Sequence, residues 1–332
     1  MKLAQPFVRL PFRFDASRLA EEVTSLDATA WMPHPSGLKG NSAVPLISRD
    51  GTDNDDFVGA MKITPHLRKS PYHHQVMASL GEVLTRSRLM KLDANCEVSN
   101  HVDFNYHWYT RVRVHVPVIT NSDVLFYCGD ENINMKPGEC WVFDNWRRHN
   151  VINNGKEDRI HLVIDLAGSS RFWRTVRYMQ KLDTNKDAAE LNNLIREIPY
   201  QPGVETEITT ETINTAPVMA PGEIDAMINE LIRDLQAHPE NDTTMLEQYR
   251  VLLTDFARDW REIWLQYGMQ PVAVPRYRHL IEQTAAQLHP NRRILVASSN
   301  GIGANAIIMQ RILNPALAPE MYDYFIPTSD SS

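Results

Sequence analysis

Among the twelve histidines of this 332-residue sequence, His101 stands out for its neighbour. The triplet His101-Val102-Asp103 sets an imidazole and a carboxylate two positions apart. On a strand, residues i and i+2 project from one face, so both side chains can reach a single ion. Chance alone provides a His-x-Asp triplet at this composition, so the pair means little without a third donor. His149 is the best candidate, lying beyond the apolar stretch Cys140 to Phe143 and just before the turn signal Asn153-Asn154-Gly155. Two imidazoles and one carboxylate on one side of an ion leave coordination positions open, the arrangement of non-haem Fe(II) oxygenases. A structural zinc site is disfavoured, because it would need a fourth protein donor. Ten positions after His149 comes Arg159, whose guanidinium can fork onto a carboxylate. Arg113 and His115 offer similar chemistry on a separate segment.

The segments that must position these residues alternate with period two. In Tyr109 to Thr120, Arg111, Arg113 and His115 interleave with Val112, Val114 and Val116, so polar and apolar side chains take opposite faces of a strand. Residues Arg159 to Leu166 repeat the design, with Arg159, His161 and Asp165 opposite Ile160, Leu162, Ile164 and Leu166. Val124 to Cys128 and Cys140 to Phe143 also read as strands, with turns at Lys136-Pro137-Gly138 and Asn153-Asn154-Gly155. Short strands with turns every ten residues or so predict a sandwich or jelly roll. Beyond residue 170 helices take over. Ile224, Met227, Ile228, Leu231, Ile232 and Leu235 mark one apolar helix face, a longer stripe runs from Met245 to Tyr267, and a third helix carries Leu280, Ile281 and Leu288.

Composition narrows the class. The 34 basic and 41 acidic side chains give a net charge of −7, which argues against a nucleic-acid partner needing a basic surface. Hydrophobic residues make up 43%, enough for a substantial core at this length. No run of about 18 apolar residues suggests a membrane span, and the amino terminus lacks an apolar leader core. Cys96, Cys128 and Cys140 have neither disulfide-framework nor zinc-site spacing. A cytoplasmic protein is the expectation.

Five pieces of the chain resemble, in order, the aspartyl/asparaginyl β-hydroxylase family of Fe(II)/2-oxoglutarate dioxygenases, and among these the bacterial proline hydroxylases. They are His101-Val-Asp103-Phe, Arg113-Val-His115, Met135-Lys-Pro-Gly-Glu-Cys-Trp-Val-Phe-Asp144, His149-Asn-Val-Ile-Asn153 and Arg159-Ile-His-Leu-Val-Ile-Asp165. The resemblance covers residues 101–166 well, and Phe7 to Leu26 and the helical tail only in general layout. It implies a mainly β chain: a double-stranded β-helix (jelly roll, cupin-like) core with flanking helices and a C-terminal helical region. The expected division is a dioxygenase domain over 1–175, a helix and linker over 176–222, and the helical region over 223–332.

By the same resemblance, His101, Asp103 and His149 would hold Fe(II), and Arg159 would take the distal carboxylate of the cosubstrate 2-oxoglutarate. Arg113 and His115 match positions that handle carboxylates of cosubstrate or substrate, with the division between them open. Met90 and Leu92 align loosely with residues lining the cosubstrate site. The implied reaction uses O2 to hydroxylate an unactivated C–H of a small, carboxylate-bearing amino acid or amino-acid-like molecule, releasing succinate and CO2. Asp103 favours hydroxylation over halogenation, since related halogenases replace this carboxylate with a small residue. A peptide or protein Asp/Asn side chain, a larger metabolite, and a non-catalytic metal-binding sensor are the alternatives. A homodimer through the helical tail is left open.

Other features are read conservatively. His161, His107, His66 and the His73-His74 pair are taken as structural or surface residues. Arg111 is balanced between a substrate contact and a salt bridge. Asn105 to Trp108 are balanced between a pocket wall and packing. The glycine-rich stretch Ile294 to Asn305 superficially looks like a nucleotide loop. A lone Gly-x-Gly with so little chain after it cannot complete a dinucleotide domain, and a plain turn is preferred.

Overall fold

The computed structural model describes residues 3–35, 37–184 and 188–325. The chain forms two compact units, one of residues 1–101 and 110–212 and the other of residues 102–109 and 213–332.

The first unit is a jelly roll. Its strands are β1 (Phe7–Phe14), β2 (Met32–Pro33), β3 (Asn41–Arg49), β4 (Met61–Ile63), β5 (Leu84–Leu92), β6 (Cys96–His101), β7 (Val112–Ile119), β8 (Val124–Cys128), β9 (Glu131–Ile133), β10 (Glu139–Phe143), β11 (His149–Asn153), β12 (Arg159–Leu166) and β13 (Arg196–Ile198). The large sheet runs β13-β1-β10-β7-β12-β5-β3-β2, with β4 on β3, and the small one runs β6-β11-β8-β9. Helices α1 (Ala16–Thr24), α2 (Pro65–Arg68) and α3 (Pro71–Ser79) come early in the chain. The short α4 (Tyr106–Thr110) precedes β7, and α5 (Ser170–Thr184) and α6 (Ala188–Leu194) follow β12.

Period two decides what each face does. Val112, Val114, Val116 and Val118 of β7 join Ile160, Leu162, Ile164 and Leu166 of β12 in a core shared with Leu19 and Val23 of α1, Val76 of α3 and Val176 of α5. Each such side chain, fully buried, contributes about 1.5–3 kcal/mol. The opposite face carries Arg113, His115, Arg159, His161 and Asp165. A separate cluster takes Phe7, Leu92 and Phe143 from the large sheet and Val124, Phe126, Cys128 and Val151 from the small one, so the two sheets face each other across it. The expected jelly-roll core is thus present. The strand expected from Tyr109 begins instead at Val112, because Asn105 caps a helical turn. Its carbonyl accepts from Tyr109 N at 3.2 Å and its side-chain oxygen from Trp108 N at 3.3 Å.

The turn at Lys136-Pro137-Gly138 requires its glycine. Gly138 has φ of +75°, and a Cβ there would lie 2.1 Å from the carbonyl oxygen of Phe14. That close approach lets Phe14 N donate to Gly138 O at 2.8 Å, joining β1 to the edge of β10.

The second unit is helical: α7 (Pro221–Gln236), α8 (Thr243–Tyr267) and α9 (Val274–Ala286) match the three apolar stripes. Ile224, Met227, Ile228, Leu231 and Leu235 pack with Leu253, Phe256, Trp260, Tyr277 and Leu280. The glycine-rich stretch near residue 300 is a turn whose flanks, Leu295, Ala297 and Ala304, lie in this core. No helix among the described residues is long and apolar enough to cross a membrane.

Candidate metal centre

His149 opens β11 and His101 closes β6, and the two are directly paired across the small sheet. This register brings their rings to 4.2 Å between centroids. Asp103 lies two residues past the end of β6, so the irregular segment after the strand, and not strand alternation, supplies the carboxylate. One ligand atom from each of His101, Asp103 and His149 lies within 4.8 Å of the others. His149 is buried, and His101 and Asp103 are half-buried.

The hydrogen bonds behind the rings select the tautomer. His101 Nδ1 lies 2.8 Å from the carbonyl of Ser99, and His149 Nδ1 lies 2.9 Å from that of Arg147. A carbonyl only accepts, so each Nδ1 carries the proton and each lone pair sits on Nε2, the usual outer-shell device of metal-binding histidines. Two neutral imidazoles presenting Nε2 and one carboxylate fit a divalent cation such as Fe(II).

A second polar group lies on the inner face of the large sheet. Arg159 Nη2 donates to His161 Nδ1 at 2.7 Å, and His161 Nδ1 lies 3.3 Å from His115 Nδ1. All three side chains are buried. Burial pushes the Arg159 guanidinium down to about 9. Burial, and then the charge of Arg159, hold His115 and His161 well below the ordinary histidine value. Arg159 Nε, His115 Nε2 and His161 Nε2 are buried without a hydrogen-bond partner among the described residues. Buried polar atoms of this kind call for a ligand or water, and a carboxylate suits a guanidinium flanked by neutral imidazoles.

Two phenylalanines join the groups. The Phe143 ring lies 4.8 Å from that of His149 and 5.4 Å from that of His115. Phe126 lies 4.8 Å from Phe143 and 5.4 Å from His115. The His149 imidazole and the buried Arg159 cluster therefore flank one apolar wall. Met90 and Leu92 of β5 stand opposite His161 and Arg159 in the sheet register.

Arg113 shares the face of His115 and holds Asp165 in a fork, Nε to Oδ1 at 2.8 Å and Nη2 to Oδ2 at 3.1 Å. Arg111 pairs with Glu211 at 2.5 Å, the salt-bridge side of its two readings. His73 and Glu22 form a buried pair at 2.8 Å, and His66 reaches Asp53 at 3.0 Å, which suits their structural reading.

Sequence reasoning read His161 as structural and did not single out Arg86, Arg88 and Asp55. His161 sat on the same polar strand face as Arg159, the signal that could have placed it. Arg86 and Arg88 of β5 both pair with Asp55, at 2.8 Å for Arg86. Burial, and then the neighbouring Arg86, push Arg88 down to about 9. The alternation of Arg86 and Arg88 along β5 was a visible sign. Asp55, in an irregular segment, gave none.

A facing pair of sheets with a His-x-Asp and a distant His grouped at one site defines the class: a double-stranded β-helix carrying a candidate metal centre. Residues 47–168 match the sequence model of the family described as aspartyl/asparaginyl beta-hydroxylase. An L-proline cis-4-hydroxylase of Rhizobium meliloti (strain 1021) is 24% identical over 186 residues, covering 54% of this chain and 66% of that protein. Among solved structures, a prolyl-4-hydroxylase from Pseudomonas putida is similar over 50% of this chain and 95% of its own, with 10% identity and a TM-score of 0.35. A 2OG-Fe(II) oxygenase family oxidoreductase from Burkholderia pseudomallei covers 49% and 86%, with 13% identity and a TM-score of 0.35.

Proposed function

We propose that the protein is an Fe(II)- and 2-oxoglutarate-dependent dioxygenase that hydroxylates an unactivated C–H of a small amino acid or amino-acid-like substrate. Succinate and CO2 are the co-products. The observation that carries this reading is the grouping of His101, Asp103 and His149 within 4.8 Å, with Phe143 in ring contact with both His149 and His115 of the buried Arg159 cluster. Bound Fe(II) and 2-oxoglutarate would supply the oxidising power, with O2 as the oxidant.

The chain's own residues do the rest. His101, Asp103 and His149 hold the metal through Nε2, a carboxylate oxygen and Nε2. Arg159 would take the distal carboxylate of the cosubstrate, and His161 fixes the guanidinium by accepting a hydrogen bond from it at Nδ1. His115 completes the polar floor. Phe126 and Phe143 exclude water between the metal side and the carboxylate side. Arg113, oriented by Asp165, presents a cation on the same strand face for a carboxylate of the substrate. The similarity to a proline cis-4-hydroxylase directs attention to free cyclic and acyclic amino acids.

Anaerobic visible spectroscopy of the Fe(II)-loaded protein tests the reading. Adding 2-oxoglutarate should raise a weak metal-to-ligand charge-transfer band, the sign of bidentate chelation at an iron with open positions. A screen of free amino acids should then yield a product heavier by one oxygen with equal succinate. Folded, iron-loaded protein that gives no band would defeat the proposal in favour of a non-catalytic metal module.

A further inference from the structure

His149 enters β11 from a connection of five residues, Asp144 to Arg148, that begins where β10 ends. β10 belongs to the large sheet and β11 to the small one, so this short stretch carries the chain between sheets and must deliver the imidazole correctly turned. All of it lies in the first unit. Asp144 organises it. The residue is buried, and each of its polar atoms is engaged. Its N–H donates to Pro6 O at 2.9 Å, and its carbonyl accepts from Arg147 N at 3.0 Å and from Cys128 Sγ at 3.3 Å. Of its carboxylate oxygens, Oδ1 accepts from Trp146 N at 3.1 Å and Oδ2 from Arg147 Nε at 3.0 Å. The first bond closes a local turn. The second, charge-assisted, grips the residue whose carbonyl stands 2.9 Å from His149 Nδ1. Beyond it, Gly129 N donates to Arg148 O at 2.9 Å and ties the next peptide to the end of β8. The Arg147 side chain is 39% exposed, and burying a carboxylate against so exposed a cation adds little to stability. What the turn gains is a fixed direction for one carbonyl.

We infer that Asp144 and Arg147 are positioning residues for His149: the carboxylate locks the turn so that the Arg147 carbonyl keeps the imidazole proton on Nδ1 and leaves the Nε2 lone pair for the ion. Both act through that carbonyl. Loosening the turn lets the ring take its other tautomer, in which Nε2 carries the proton and cannot bind a cation.

The inference rests on the metal reading above, and the test separates the two. Full-length, metal-free wild type, Asp144→Asn, Arg147→Met and the control Arg148→Met are compared by heteronuclear NMR of the histidine ring nitrogens, at a pH where imidazoles are neutral. The His149 signals are those lost in His149→Ala. The same proteins are then titrated with Co(II), read from its visible d–d absorption. Arg148 is exposed in the same turn, and its loss removes the same charge while leaving both carboxylate bonds of Asp144 in place. Arg147→Met alters a half-exposed side chain, so it reports even where Asp144→Asn fails to fold. His149 should carry its proton on Nδ1 in wild type and in Arg148→Met, and become a mixture with Nε2–H in the other two. Co(II) binding should weaken about tenfold in those two, in line with the usual cost of losing an outer-shell support. An unchanged tautomer and affinity in folded Asp144→Asn and Arg147→Met would overturn the inference alone, as would an equal change in Arg148→Met. A wild type with His149 protonated on Nδ1 that binds no Co(II) would remove the metal reading, and the inference with it.

Discussion

Arg159 donates through Nη2 to Nδ1 of His161 over 2.7 Å, with both side chains buried. A guanidinium can only donate, so His161 must accept at Nδ1 and is a neutral imidazole with its proton on Nε2. That bond removes one rotational freedom from the arginine and aims the rest of its fork. Replacing His161 with Gln should therefore raise KM for 2-oxoglutarate about tenfold while changing kcat little. Steady-state succinate formation against cosubstrate concentration reads both constants. Unaltered KM in a folded variant would return His161 to the purely structural role expected from sequence.

The same imidazole predicts an acid sensitivity. Burial, then the charge of Arg159, hold His161 below its ordinary value, and His115 shifts the same way. The unfolded chain, titrating near pH 6.5, then binds protons that the folded chain refuses, so stability falls as pH drops below that value and is flat above it. Each such group contributes a slope of about 1.4 kcal/mol per pH unit. Urea midpoints of the metal-free protein between pH 7.5 and 5 should show the decline, and His161→Gln should make it shallower. An equally steep profile in that variant would mean that His161 is protonated in the folded state.

At the metal end the expected split is of another kind. His149 is fixed by Arg147 O through Nδ1 and faces His101 across the strand pair. His149→Ala should abolish Fe(II)-dependent succinate formation and Co(II) absorption while leaving the fold intact, since the ring stands at a strand end. Isothermal titration with the metal and circular dichroism distinguish loss of the ligand from loss of structure. Retained tight metal binding would transfer the ligand role away from His149.

These contrasts follow how far each residue could be read from sequence. Arg113, His115, Arg159, His161 and Asp165 were all assigned to polar strand faces by alternation alone, and the register of β7 against β12 bears that out. Alternation gives a face but not a partner. Whether Arg113 meets a carboxylate of the protein or of a ligand depends on Asp165 standing opposite it, a cross-strand register that no single segment encodes. Alternation likewise put His161 on the face of Arg159 without naming the partner it accepts from. The three helices of the second unit were legible because each buries one stripe. The short α4 was not, because a capped turn of five residues is too brief for any periodicity. Asp103 was placed with the right partners on a strand argument, although it lies beyond the strand.

Asn153 shows the remaining kind of residue, one that does no chemistry but sets the distance between those that do. It is fully buried. Its Nδ2 lies 3.2 Å from Leu92 O, 3.1 Å from Asp93 O and 2.9 Å from Glu157 O, and its Oδ1 accepts from Gly155 N at 3.1 Å. One amide thus ties the end of β5 to the turn between His149 on β11 and Arg159 on β12. Asn153→Ala would leave three carbonyls without their donor, the Leu92 one in a buried setting, at a cost of about 1–3 kcal/mol for each buried one left unmade. Chemical denaturation should show a loss of about 3 kcal/mol, and the folded fraction should bind 2-oxoglutarate more weakly because Arg159 is no longer held in register. A drop below 1 kcal/mol would mean the turn holds its shape through backbone contacts alone. Asn153→Asp separates the two functions of the amide: it keeps the acceptor for Gly155 and sets a carboxylate against three carbonyls, so it should destabilise the protein at neutral pH at least as much as alanine does.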